Sequence, residues 1–385
     1  MLLTERPAPG APATRRASVS WRHLDWLLAA TVVVIGAFGC VMVYTASRAT
    51  VGRSDLDKQA LFMVLGTVVM LVVARIDYRH WRNWAMLLYG LSILLLLGVF
   101  VVGRHANGAQ AWFQVGPFEF EPSEFAKIAL ILALAAYASS FKGRVDLRGF
   151  LSIVAMTLVP FLLVYKQPDL GTALVLLAVL LVMLLVAGVR MRHFVVLLLV
   201  GVIGMVGVVE LGVLKAYQTA RITSFIHTPN TANPSLLETV AGANIYNVVE
   251  SKNAISNGGV LGQGIGKGTA TNTSLVPEQS TDFIFSAVGE QVGLVGSVLL
   301  LGLFLLVIWR TWLAASMSRD LFGSLLCAGV LAMLVFQIFE NAGMAMGIMP
   351  VAGIPLPWMS YGGSAVLIDF IGIGLVLSVR LHRFN

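Results

Sequence analysis

Pro277-Glu278-Gln279-Ser280-Thr281-Asp282-Phe283-Ile284-Phe285 closes the longest polar stretch of the chain, Lys215 to Asp282. The carboxylate of Asp282 stands where the sequence re-enters an apolar run. Before and after this stretch, almost everything is apolar and of membrane-spanning length. Across 385 residues, 58% are hydrophobic and 12% charged, and the mean hydropathy is +0.86. A soluble domain carries about 25% charged residues. The balance excludes a water-soluble fold and gives an all-α polytopic membrane protein. Only the 215–282 segment has the length and polarity to hold a water-soluble substrate.

Apolar runs fall near 26–46, 59–76, 85–103, 123–140, 149–165, 170–188, 193–214, 283–309, 321–345 and 361–380. They predict about ten transmembrane helices, with a large extracellular loop, 215–282, between helices 7 and 8. Residues 1–22, rich in Pro, Ala and Arg, read as a disordered basic tail, and 23–385 as one membrane domain. The 346–360 segment is too short and too rich in Pro and Gly to span. It reads as irregular backbone, tolerated at membrane depth only where protein or a water-filled cavity surrounds it.

The basic residues sort to one side. They precede helix 1 (Arg6, Arg15, Arg16, Arg22) and lie between helices 2 and 3 (Arg75, Arg79, Arg82) and 4 and 5 (Lys142, Arg144, Arg148). They also follow helices 6 (Arg190, Arg192), 8 (Arg310, Arg319) and 10 (Arg380, Arg383). By the positive-inside rule both termini are cytoplasmic and the long loop is outside. The net charge of +7 is thus a topology signal and implies no nucleic acid. The two cysteines, Cys40 and Cys327, lie in apolar runs and read as buried thiols.

Charges inside spanning helices are costly and invite a functional reading. Glu124 and Lys127 are three apart on helix 4, so they share a face. They are either a structural ion pair or a phosphate-binding lysine with its positioning acid. Glu290, Glu340, Asn341 and Asp369 cluster toward the external half. Trp112 is either an interfacial anchor or a stacking platform for a sugar. Arg221, Lys252 and Lys267 supply positive charge to the long loop, and could face an anionic headgroup. The glycines from Gly258 to Gly268 suit close approach to a ligand or a flexible loop. Gly264-Ile265-Gly266-Lys267-Gly268 is not a phosphate-binding loop, since it neither follows a strand nor opens a helix.

Five blocks, in order, resemble the SEDS family (shape, elongation, division and sporulation). They are Gly108-Ala109-Gln110-Ala111-Trp112-Phe113, Glu121-Pro122-Ser123-Glu124-Phe125-Ala126-Lys127, Gln167-Pro168-Asp169-Leu170-Gly171-Thr172, the Pro277–Phe285 block, and Asn341–Ala365 with its Pro355-Leu356-Pro357 and Ser360-Tyr361-Gly362-Gly363-Ser364. The Pro-Leu-Pro form and the compact length resemble the RodA branch, the one tied to cell elongation. The sequence departs from the family pattern at Ala111, where a basic residue is usual, at Glu121, where Gln is usual, at Asp369, and in the loop from His227 to Tyr246.

The resemblance implies a peptidoglycan glycosyltransferase of the cytoplasmic membrane, acting on its outer face. Its substrate would be lipid II, an undecaprenyl-pyrophosphate disaccharide pentapeptide. Its partners would be a class B penicillin-binding protein, a transpeptidase, and the elongation machinery. Asp282 matches the catalytic carboxylate. Glu124, Lys127, Trp112, Asp169 and Ser360 lie in the matched blocks as substrate-binding candidates.

The chemistry is consistent with this. A sugar hydroxyl attacks an anomeric carbon whose leaving group is pyrophosphate, so one carboxylate base suffices. Such a base contributes roughly 10²–10⁴ in rate. No cofactor is required by the residue pattern. A divalent cation, Mg²⁺ or Mn²⁺, is compatible with Asp282, Asp169 and Glu290, although no metal-ligand spacing marks a site. Two other readings stand beside the enzyme: a lipid II flippase, which needs charges along a path across the whole bilayer, and a non-catalytic scaffold for the transpeptidase.

Overall fold

The computed structural model describes residues 23–48, 52–106, 109–116, 118–141, 145–210 and 240–383. The expected tail, 1–22, and the loop residues Arg221 and His227 lie outside them. Twelve helices are described: α1 (Trp26–Ser47), α2 (Ser54–Arg75), α3 (Tyr78–Val102), α4 (Pro122–Ser139), α5 (Leu147–Lys166), α6 (Leu170–Val186), α7 (Met191–Glu210), α8 (Val240–Gly258), α9 (Thr269–Asn272), α10 (Ile284–Ser316), α11 (Leu321–Ala345) and α12 (Gly363–Leu381). Eight of them are long and apolar enough to cross a membrane: α1 to α5 and α10 to α12. α6 and the stretch Met191–Gly204 of α7 are apolar but shorter. The protein is a multi-pass membrane protein.

Aspartates start many of these helices. Asp25, Asp146, Asp169 and Asp320 accept the third following backbone N–H of α1, α5, α6 and α11, at 3.2, 2.8, 2.9 and 2.8 Å. Each satisfies a donor that the helix leaves open and places negative charge at the positive end of its dipole. Pro122 occupies the first turn of α4, where its missing N–H costs nothing.

α4, α11 and α12 form the interior. Apolar side chains on α2 such as Val64, Val68 and Val72 face outward one turn apart, as a lipid-facing stripe does. Between helices in lipid, close packing replaces hydrophobic drive, and small residues permit it. A Cβ on Gly66 would stand 2.2 Å from the Phe370 ring, and one on Gly329 2.7 Å from Ile131. Trp358, fully buried, packs against Phe304 of α10 and Phe370 of α12 at 6.4 and 6.3 Å.

Three features differ from the sequence expectations. A small antiparallel sheet, β1 (Arg104–Ala106), β2 (Ala109–Val115) and β3 (Phe118–Phe120), in the order β1-β2-β3, joins α3 to α4. The described part of the 215–282 segment is largely ordered structure, with α8, α9 and tight turns. The glycine-rich run does open a helix after all: Gly268 is the N-cap residue of the one-turn α9.

The glycines of that run also have a structural task. α10 breaks at Gly293, whose φ is 67° and ψ −164°. Two carbonyls before the break, Glu290 and Gln291, accept from Gln263 and Gly264 N–H at 2.9 and 3.0 Å. Two N–H groups after it, Leu294 and Val295, donate to Gly259 and Val260 at 2.9 and 3.1 Å. The 259–264 loop thus satisfies the backbone that the break exposes, as a broken helix requires at membrane depth. The close approach expected of these glycines is to α10 itself.

The 346–362 segment is irregular, as its Pro and Gly content predicts. Gly347, at φ 72°, ends α11: its N–H reaches Met344 O at 3.0 Å and the Ile348 N–H reaches Gly343 O at 2.8 Å.

Candidate active site

Asp282 lies in the turn that enters α10, and that turn is fixed from several elements. Gln279 Nε2 donates to Ala46 O of α1 at 2.7 Å and to Thr271 O at 3.0 Å. Tyr361 N–H donates to Ser280 O at 2.8 Å, and Ser360 Oγ donates to Thr281 O at 2.6 Å. Asn341 Nδ2 donates to Asp282 O at 2.7 Å and to Ile354 O at 2.8 Å. The backbone of Asp282 is therefore held by α11 and by the irregular segment, while the residue is partly exposed. Gly353, at φ 73°, borders the carboxylate: a Cβ there would come 3.3 Å from Asp282 Oδ2. The carboxylate is thus carried on a turn braced from several elements and is partly open to solvent.

A second group stands at the heads of α4 and α6. Lys127 Nζ lies 2.7 Å from the Glu124 carboxylate, and both side chains are almost wholly buried. Trp112 on β2 donates Nε1–H to Glu121 Oε2 at 3.2 Å, and Ser123 Oγ donates to Glu121 Oε1 at 2.8 Å. Glu121 is the residue before α4. Desolvation, then the charges of Asp169 and Glu124, push its carboxyl up to about 8. Asp169 caps α6 with Oδ1, while its buried Oδ2 meets no hydrogen-bond partner among the described residues. Asp369 of α12 acts on the Lys127 charge together with Glu124 and Glu121.

The two groups meet through the irregular segment. A Cβ on Gly171, two residues after Asp169, would meet Ala352 O at 2.9 Å and Gly353 O at 3.4 Å. The 352–353 backbone therefore has the Asp282 carboxylate on one side and the head of α6 on the other.

Several expected site residues have other work. Ser360 is buried, and its hydroxyl also accepts the Leu356 N–H at 2.8 Å, so it braces the Asp282 turn and has no free side for substrate. Glu290 is enclosed at the head of α9. Its oxygens accept the Ala270 and Thr271 N–H at 2.7 and 2.9 Å and the Thr269 hydroxyl at 3.2 Å. It caps that helix. Among the described residues no three His, Cys, Asp or Glu side chains form a group suited to a metal ion. Lys252 is exposed on α8 beside Gly347, and Lys267 is exposed in the loop before α9. Trp112 is tied by its indole N–H to Glu121.

Sequence reasoning passed over Glu121 as a site member. The signal was its position, directly before the proline that opens α4 and three residues ahead of Glu124. On α11 it named Glu340 and Asn341 but missed Gln337. Gln337 and Glu340 are buried there beside Asn341, and among the described residues their side-chain termini meet no hydrogen-bonding partner.

Comparison with known proteins agrees with this architecture. A family model described as cell cycle protein, covering FtsW, RodA and SpoVE, matches residues 25–385. Stage V sporulation protein E of Bacillus subtilis is 35% identical over 371 residues, covering 94% of this chain and 98% of that protein. Peptidoglycan glycosyltransferase MrdB of Escherichia coli K12 is 33% identical over 361 residues, covering 94% of each. The fold is similar to a chain from a peptidoglycan synthase complex, solved in a study of how polymerization and crosslinking are coordinated. Its TM-score is 0.79 at 34% identity, over 95% of this chain and 100% of that one. It is also similar to the rod shape determining protein RodA of Thermus thermophilus, with TM-score 0.69 at 32% identity over 95% and 99%. With its full helical domain matched in sequence and in fold, this chain belongs to the SEDS family of FtsW, RodA and SpoVE.

Proposed function

We propose that the protein is a peptidoglycan glycosyltransferase that polymerises lipid II on the outer face of the cytoplasmic membrane, with Asp282 as general base. The observation that carries the reading is the rigid turn that presents Asp282 beside Gly353, at the bundle end where α4 and α6 begin. Relatives named as peptidoglycan glycosyltransferases support the reaction class. In this reading the Asp282 carboxylate takes the proton from the acceptor sugar hydroxyl as the oxygen attacks the donor's anomeric carbon. The C–O bond to pyrophosphate breaks with inversion, and the leaving group carries away the electron pair. Fixed positive charge stabilises it as charge develops. Lys127, held by Glu124, supplies field from within the bundle, and exposed Lys252 supplies a mobile ammonium. Basic residues gather at the opposite end of the helices, which supports cytoplasmic termini. The partner is a class B penicillin-binding protein, in keeping with the structural likeness to a synthase complex.

The test is polymerisation of fluorescent lipid II by purified protein, with and without a transpeptidase partner. Asp282→Asn is expected to lower the rate by roughly 10²–10⁴ while the protein stays folded. Equal product from both proteins would remove Asp282 from the mechanism.

A further inference from the structure

Glu121 joins three elements. Its carboxyl accepts from Trp112 on β2 and touches Ser123 on α4, and its backbone N–H donates to Ser364 Oγ at the head of α12 at 3.1 Å. The charged groups around it come from each packed element. They are Glu124 and Lys127 on α4, Asp169 at the head of α6, and Asp369 of α12 acting through Lys127. Glu119 of β3 is engaged by Arg104 at 3.0 Å. With Glu121, Glu124 and Asp369 all ionised, one buried ammonium would face three negative charges, with Asp169 a fourth beside Glu121, more than a largely buried cluster sustains.

A neutral Glu121 removes one of these charges without breaking a contact. Oε1–H donates to Ser123 Oγ, because a hydroxyl accepts as readily as it donates, while Oε2 goes on accepting from Trp112. We propose that Glu121 is a positioning residue that works as a neutral acid, pinning the Trp112 strand to the head of α4 while keeping one negative charge out of the path of an incoming pyrophosphate. This rests on the glycosyltransferase reading. Ionisation adds a negative charge next to Lys127 in a medium of low dielectric, where repulsion of a phosphate is large. The raised range given above puts that transition on the alkaline side of neutrality. Its effect falls on precursor binding more than on the chemical step, since Glu121 touches none of the reacting atoms.

Two measurements on the full-length chain decide it. The first is the KM for lipid II, with the transpeptidase partner present, at about pH 6.5 and about pH 9.5. In the parent protein KM is expected to rise about tenfold over this range with kcat changing less, while Glu121→Gln holds its KM within about twofold. The second is the infrared difference spectrum, parent minus Glu121→Gln. It is expected to show a protonated-carboxyl band at neutral pH that fades in alkali. The same alkaline rise of KM in Glu121→Gln, or no such band, would overturn the proposal. Failure of both proteins to polymerise at any pH would remove the functional reading. The infrared band would still decide the charge state of Glu121.

Discussion

Lys127 Nζ and the Glu124 carboxylate stand 2.7 Å apart in the first two turns of α4, both almost wholly buried. A buried pair of this kind is weak evidence for stability, because desolvation offsets most of the attraction. Removing one partner is another matter. Lys127→Ala is expected to destabilise the protein by about 3–5 kcal/mol, because Glu124 is left charged and alone. Replacing both, Glu124→Leu with Lys127→Met, is expected to restore the thermal midpoint in detergent to near the parent value. If the pair serves the reaction, that double variant stays folded yet loses polymerisation. A folded, active double variant would reduce the pair to packing. The sequence placed the two residues on one face through their spacing, but it could not distinguish an ion pair from a phosphate site, since both use the same spacing. Asp282 was legible because it stands alone at the edge of an apolar run. The sequence places Glu290 only among the charges of the external half, and the fold shows that it caps α9.

The positions of the long helices were legible because length and polarity alone decide where a chain can cross a membrane, but α2 and α3 begin before their apolar runs and α10 ends after its own. The three strands between Arg104 and Phe120 were not, because runs of three to seven mixed residues carry no usable alternation. The break in α10 was equally hidden. Gly293, Gly296 and Gly302 all lie in one apolar run, and hydropathy cannot tell a hinge glycine from a helical one. Geometry separates them. A Cβ on Gly293 would stand 2.3 Å from Gly262 N and 2.7 Å from Val260 O, at a positive φ, whereas one on Gly302 meets nothing within 4 Å. Gly293→Ala is therefore expected to cost at least about 2–3 kcal/mol, from strain in φ and displacement of the 259–264 loop. Gly302→Ala is expected to be neutral or to gain up to about 1 kcal/mol. Amide exchange should locate the damage: Leu294 and Val295, which donate to that loop, lose protection in Gly293→Ala and keep it in Gly302→Ala. Equal protection in both would mean that the loop does not complete the helix.

Seen whole, the bundle is polarised. At one end Asp25, wholly buried, caps α1 and accepts from Arg310 of α10 at 2.9 Å and from Arg380 of α12. One carboxylate ties three helices there, among the arginines that the positive-inside rule assigns to the cytoplasm. At the other end lie Asp282, the heads of α4 and α6, and the loops that fill the broken α10. A substrate carried on a lipid outside the cell requires the second end to face outward. Single cysteines can test this directly. Cys40 is partly exposed and Cys327 buried, so both are first replaced. Leu275, 44% exposed between α9 and Asp282, and Ser316, exposed at the far end of α10, are then changed to cysteine one at a time. In intact cells a membrane-impermeant maleimide is expected to label Leu275→Cys and to leave Ser316→Cys unlabelled until the membrane is opened. The reverse pattern would put Asp282 in the cytoplasm, where no polymer destined for the wall is built, and the proposed reaction would fail on topology alone, whatever the quality of its site.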